Sequence, residues 1–151
     1  DTNTTDIAFN NAISAIGTNG EFVYVLQNSG YDETSISTIS IVSNTSISSS
    51  KQLDQLNSRK MDIDGSNIYY ISGTGIYKMN NSLTSAGTKL FDVNSGDQYS
   101  ILYGFNVING NIYTSDANGF TDNSKVVIYK EDGTVLKEFT AGIGTNGFYK
   151  F

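Results

Sequence analysis

Asn19-Gly20, Asp64-Gly65 and Asn109-Gly110 put a glycine at positions 20, 65 and 110, so one dipeptide type returns twice at an interval of 45 residues. Each pair is followed by a tyrosine inside an apolar run: Phe22-Val23-Tyr24-Val25, Asn67-Ile68-Tyr69-Tyr70 and Asn111-Ile112-Tyr113-Thr114. Asn-Gly and Asp-Gly suit the two-residue type I′ hairpin turn, whose central positions both need positive φ. A tight turn returning at this period among short strands is the signature of a propeller blade. The expected fold is therefore all-β: a β-propeller segment of about three four-stranded antiparallel blades that leaves its ring incomplete.

The strands can be placed from the same pattern. The first repeat offers Asn11 to Ile16, Glu21 to Leu26, Ile39 to Val42 and Ser46 to Ser48. The second offers Lys60 to Ile63, Asn67 to Ile71, Gly75 to Met79 and Lys89 to Asp92. The third offers Tyr103 to Ile108, Asn111 to Ser115, Lys125 to Lys130 and Thr134 to Phe139. Ile68-Tyr69-Tyr70-Ile71 and Val126-Val127-Ile128-Tyr129 lack polar alternation, so both of their faces need cover, which neighbouring blades supply. The last strand, with Lys137 and Glu138 among Val135, Leu136 and Phe139, has the charge that protects a sheet edge. A two-sheet sandwich also has short strands and frequent turns, but it does not call for a 45-residue repeat.

The whole chain, 1–151, reads as one propeller segment with repeats at about 11–56, 57–99 and 100–141. Residues 6–9 are expected as the last strand of a preceding blade, and 147–151 as the first strand of a following one. Closed rings use about 4 to 8 blades, so the remaining blades, a second copy or a partner chain is the expected neighbour. Apolar blade faces left in water would be association sites.

Composition narrows the function classes. Nine lysines and arginines against 15 carboxylates give a net charge of −6, and the longest basic grouping is Arg59-Lys60, which argues against nucleic acid as partner. No apolar run is long enough for a membrane-spanning helix, so membrane insertion is not expected. Cysteine and histidine are absent, which removes disulfides, thiolate ligands and the usual general base. The expectation is that the protein is not an enzyme, the alternative being a glycan-active enzyme built on paired carboxylates. Neither a metal nor a cofactor is expected: Asp116, Asn118 and Asp122 share a loop, but without the residue order of an EF-hand, and Asp64-Gly65 reads as a turn.

Asn109-Gly110-Asn111-Ile112-Tyr113-Thr114-Ser115-Asp116, Val126-Val127-Ile128-Tyr129 and Asp132-Gly133-Thr134-Val135-Leu136-Lys137-Glu138-Phe139 together resemble a late blade of YncE-like (YVTN-type) propellers. The ending from Gly142 to Phe151 is similar to the C-terminus of surface lipoproteins of that type in Bacteroidota. The resemblance implies a closed ring of commonly about seven blades, about twice this length. It also implies a secreted or outer-membrane setting, and in some relatives capture of a small ligand beside a TonB-dependent transporter. Its motifs are those of strands and turns and name no ligand-binding residue.

A blade scaffold holds its function in its loops. The second repeat has only Ser72-Gly73-Thr74 between its middle strands, where the first and third have long loops. The candidate ligand-binding residues are Tyr31, Asp32 and Glu33 in the first long loop, and Asp116, Phe120 and Asp122 in the third repeat's. Asp97, Gln98 and Tyr99 in the interblade loop complete the set. Carboxylates and amides fix a ligand's polar edge, while tyrosine and phenylalanine give rigid contact area. The function expected is a non-catalytic cell-surface binding module that presents these loops to a small ligand or transporter. The alternative is a structural or adhesive component assembling through blade faces and strand edges.

Overall fold

The computed structural model describes residues 6–43, 45–93 and 102–150. Twelve strands make three four-stranded sheets, each an antiparallel meander in chain order. Blade 1 holds β1 (Ala12–Thr18), β2 (Val23–Asn28), β3 (Ile36–Ser43) and β4 (Ser46–Leu56). Blade 2 holds β5 (Ser58–Asp64), β6 (Asn67–Ser72), β7 (Gly75–Asn80) and β8 (Thr88–Asp92). Blade 3 holds β9 (Gly104–Ile108), β10 (Asn111–Asp116), β11 (Lys125–Tyr129) and β12 (Val135–Thr140). The first strands β1, β5 and β9 lie beside one another, and the sheets do not close into a ring.

Two apolar layers hold the blades face to face. Between blades 1 and 2, Tyr24, Leu26, Ile39 and Leu53 meet Met61, Ile68, Tyr70 and Met79. Between blades 2 and 3, Tyr69, Ile71, Ile76 and Val93 meet Phe105, Val107 and Ile112. Consecutive residues of β6 thus serve opposite layers: Ile68 and Tyr70 face blade 1, Tyr69 and Ile71 face blade 3, and all four are buried. Each fully buried aliphatic side chain contributes about 1.5 to 3 kcal/mol relative to exposure. The outermost strand β12 is exposed along its whole length.

The three glycine turns share a place in their blades but differ in construction, which corrects the expectation of one type I′ turn repeated. Asn109 (φ 53°) and Gly110 (φ 75°) are both left-handed between the paired Ile108 and Asn111, as type I′ requires. In blade 2 the paired residues are Asp64 and Asn67, so the turn centres on Gly65-Ser66. There only Gly65 has positive φ, 59°, the pattern of type II′. In blade 1, Thr18 pairs with Val23 across a wider loop, and Asn19 Oδ1 accepts from the N–H groups of Glu21 and Phe22 at 3.1 and 2.8 Å.

Hydrogen bonds key each blade to the next. Asn28 Nδ2 donates to the Ser58 carbonyl at 2.8 Å, and the Ser58 N–H donates to Ser37 Oγ at 2.8 Å. Two blades further on, the Thr145 N–H donates to Ser124 Oγ at 3.0 Å, repeating the Ser58–Ser37 contact. Asp62 Oδ2 accepts from the Val107 N–H at 2.7 Å and from Asn106 Nδ2 at 3.1 Å. Glu131, in the turn between β11 and β12, accepts from Lys78 Nζ at 2.7 and 3.0 Å and from the Tyr69 hydroxyl.

Neither expected partial strand forms among the described residues: Asp6–Phe9 and Gly147–Lys150 have no regular structure. A strand satisfies its backbone groups through a paired neighbour, and neither segment pairs with one here. The second segment is still anchored, since the Phe148 N–H donates to Asn106 Oδ1 at 2.9 Å and its ring lies 5.6 Å from that of Tyr113. Phe151 lies outside the described residues.

Candidate functional site

A cleft of about 730 Å³ opens where blades 1 and 2 meet. Tyr31, Asp32 and Glu33 reach it from the β2–β3 loop, and Gln55, Leu56, Asn57 and Arg59 line it from the end of β4 and the start of β5. The remaining wall is the turn Ser72-Gly73-Thr74, with Tyr77 beside it. The volume falls in the range that encloses a small ligand, about 300 to 1,000 Å³. The site exists because of the loop asymmetry of the repeats. Ser72 pairs directly with Gly75, so β6 and β7 join by the two-residue turn Gly73-Thr74, with Gly73 at φ 56°. That low turn and blade 1's long loop both line the cleft.

One side of the cleft is preorganised by aromatic stacking. The Tyr77 ring lies 5.4 Å from that of Tyr70, with 13° between the planes. Tyr70 is fully buried and its hydroxyl donates to Gln55 Oε1 at 2.6 Å, which fixes that amide at the cleft. Burial pushes the Tyr70 phenol well above its ordinary value, so it serves as a donor throughout the physiological range. Asn57 adopts φ 47°, a conformation asparagine tolerates, and its N–H donates to the Ser35 carbonyl at 2.8 Å. This contact joins the loop of blade 1 to the crossing between the blades.

The charged residues have unequal freedom. Asp32 Oδ1 accepts from the Thr34 hydroxyl at 2.7 Å, the Thr34 N–H at 2.9 Å and Ser35 Oγ at 3.1 Å. Thr34, and after it Ser35, therefore hold the Asp32 carboxyl below its ordinary value. Asp32 folds its own loop, an Asx-turn role. Tyr31, by contrast, is 92% exposed. Arg59 makes no ion pair among the described residues. Lys60, next in sequence, points the other way, with its Nζ 5.5 Å from the centre of the Tyr103 ring. Burial, reinforced by the Arg59 charge, lowers the Lys60 ammonium below its ordinary value.

The cleft brings together one of the three expected loop groups. Asp116, at the end of β10, and Phe120 and Asp122, between β10 and β11, belong to blade 3 and do not line it. Asp116 Oδ1 accepts from the Asn118 N–H at 2.9 Å, and Asn118 Nδ2 donates to the Asn123 carbonyl at 2.7 Å, so these side chains shape their own loop. Phe120, at φ 63°, packs edge-on against Tyr103 at 4.8 Å, which supports a backbone conformation unfavourable for a bulky residue. Asp97, Gln98 and Tyr99 lie outside the described residues. Sequence reasoning missed Gln55, Asn57, Arg59 and Tyr77, which sit in or beside strands. The one signal for them is the shortened Ser72-Gly73-Thr74 turn, which marks where the floor is uncovered.

No family model matches the chain, and no curated protein matches it. Solved structures do. The acylaminoacyl peptidase of Pyrococcus horikoshii superposes with a TM-score of 0.62 at 13% identity, over 87% of this chain and 25% of that one. The β-propeller domain of the Trilobed protease from Pyrococcus furiosus, described as having an open velcro topology, gives 0.57 at 15% identity, over 87% and 43%. The chain thus spans a quarter of the first and under half of the second. At such identities the likeness is one of fold, and it is to propellers. It also corrects the expectation that the protein is not an enzyme. The peptidase contains a propeller of this form within its chain, so neither the fold nor the lack of histidine in these 151 residues separates the protein from enzymes.

Proposed function

We propose that this propeller segment works as a recognition module whose cleft between blades 1 and 2 receives a small ligand. The observation that carries the reading is the cleft itself. Its volume of about 730 Å³ is bounded by a stacked tyrosine pair, a fixed amide and an arginine without an ion pair among the described residues. A rigid apolar surface with a few oriented polar groups is how protein sites bind small molecules. Recognition by the remainder of the loop face, at an outer surface and beside a transporter as in YncE-like propellers, extends the same proposal.

Amide and side-chain NMR shifts of the chain against a fragment set would test it. Responses should gather on Gln55, Arg59, Gly73 and Tyr77. Responses gathered elsewhere, or none, would overturn the cleft as the ligand site.

A second reading, assembly through blade faces, is favoured by a specific observation. Ile13, Ile16, Val23 and Ile47 lie on the face of blade 1 turned away from blade 2 and are 48, 62, 40 and 41% exposed. An apolar sheet face of this kind marks an association surface. On this reading the neighbour is a further blade, from a second copy or from a partner chain.

A further inference from the structure

The charges of the cleft narrow its ligand further, on the premise that the cleft is a ligand site. Arg59 stands on β5 of blade 2, while Asp32 and Glu33 stand on the β2–β3 loop of blade 1. Among the described residues none of Arg59, Asp32 and Glu33 takes part in an ion pair. Asp32 spends Oδ1 on its own loop, and its Oδ2 has no hydrogen-bond donor among the described residues. A purely anionic ligand would meet Arg59 on β5 but also two carboxylates on the β2–β3 loop, inside a chain of net charge −6. A purely cationic ligand would meet the arginine. Like charges brought together count against both.

A ligand carrying both charges, separated, is matched by both elements. Besides the charged groups the cleft offers the Gln55 and Asn57 amides, the Gly73-Thr74 turn, and the flat rings of Tyr31 and Tyr77. Amides complement amides, and aromatic rings cover a backbone without selecting its side chains. Guanidinium is the side chain best shaped for a carboxylate, which it holds through two parallel hydrogen bonds. We propose that the cleft takes a short peptide with both termini free, its carboxylate on Arg59 and its ammonium toward Glu33 and Asp32.

The test uses three probes by calorimetry and NMR: tetra-alanine, N-acetyl-tetra-alanine and tetra-alanine amide. Free tetra-alanine should bind at the cleft, and either cap should weaken it about tenfold, the size of one lost charge-assisted contact. In Arg59→Ala the amide and the free peptide should bind alike, while the acetyl cap still weakens binding. In Glu33→Gln the acetyl cap should lose part of its effect. Arg59 and Glu33 are both exposed, so neither variant is expected to disturb folding. Equal response to all three probes, with shifts on the cleft residues, would overturn the two-terminus proposal and leave the cleft as a ligand site. Cleft residues unmoved by these peptides but moved by fragments would likewise overturn only the peptide. Cleft residues unmoved by either would overturn both readings.

Discussion

The N–H of Gly110 donates to Oδ2 of Asp64 at 2.6 Å, so the hairpin turn of blade 3 is held by the residue that enters the hairpin turn of blade 2. Residues one repeat apart therefore touch. The spacing in sequence is also a spacing across an interface.

Gly110→Val should destabilise the chain by about 2 kcal/mol, the cost of forcing a side-chain-bearing residue into a left-handed position. At φ 75° an added Cβ would meet nothing within 4 Å, so the penalty is conformational, with no steric clash. Urea denaturation would measure it. A neutral substitution would mean that the turn is not left-handed at Gly110.

Asp62→Ala should cost about 1 to 3 kcal/mol, because the Val107 N–H loses its acceptor at a part-buried site. Asp62→Asn should cost less, since its carbonyl oxygen still accepts. Equal losses in the two variants, read from denaturation midpoints, would show that the contact acts through charge alone.

Glu131 gives a pH dependence with a definite sign. Lys78, and then the Tyr69 hydroxyl, hold its carboxyl below the ordinary 4.5. A depressed folded-state value stabilises fully above the unfolded value and is lost as pH falls through the folded one. Stability should therefore decline as pH falls below about 4.5, and Glu131→Gln should decline less steeply there. The wild-type and Glu131→Gln urea midpoints, followed from neutral pH into the acid range, check this. Parallel curves would remove Glu131 from the account.

Tyr31→Ala should leave stability unchanged, since the side chain is 92% exposed. Asp32→Ala should lower stability measurably, because its carboxylate organises Thr34 and Ser35. Thermal unfolding of the two single variants separates them. Equal stability would mean that the loop holds its shape without Asp32.

Ile16→Lys should reduce self-association of the chain without loss of stability, since Ile16 is 62% exposed on the outer face of blade 1. Sedimentation velocity of both forms is the measurement. A monomeric parent chain would dismiss assembly through this face.

The blades were legible in the sequence because turn chemistry and apolar runs are local. Gly65 and Gly110 both need left-handed backbone, and Ile68 to Ile71 needs cover on two faces. The centre of the second turn was displaced by one residue, because Asp-Gly suits the position before a turn as well as its middle. Asp64 is engaged with blade 3 instead. Strand β4 runs to Leu56, well past Ser48, as its serines and glutamines conceal a strand whose one deeply buried residue is Leu53. That concealment also hid the cleft. Gln55 and Asn57 look like surface polar residues until β4 is carried to the blade junction, and Arg59 gains meaning only from the residues that share its cleft.

Gly17, Asp62 and Val107 occupy the same repeat position, 45 residues apart, yet they are not exchangeable. A Cβ on Gly17 would come within 2.9 Å of Ile63, whereas Asp62 must carry a carboxylate and Val107 must bury an apolar side chain. Each junction thus accepts one neighbour and refuses the others, which gives the array an address for every blade. Shuffling the blades by recombination would bring unmatched residues together at the junctions, and duplicating one would add a junction of that kind, even with the hairpins intact. The junction residues therefore tie each blade to its place in the order.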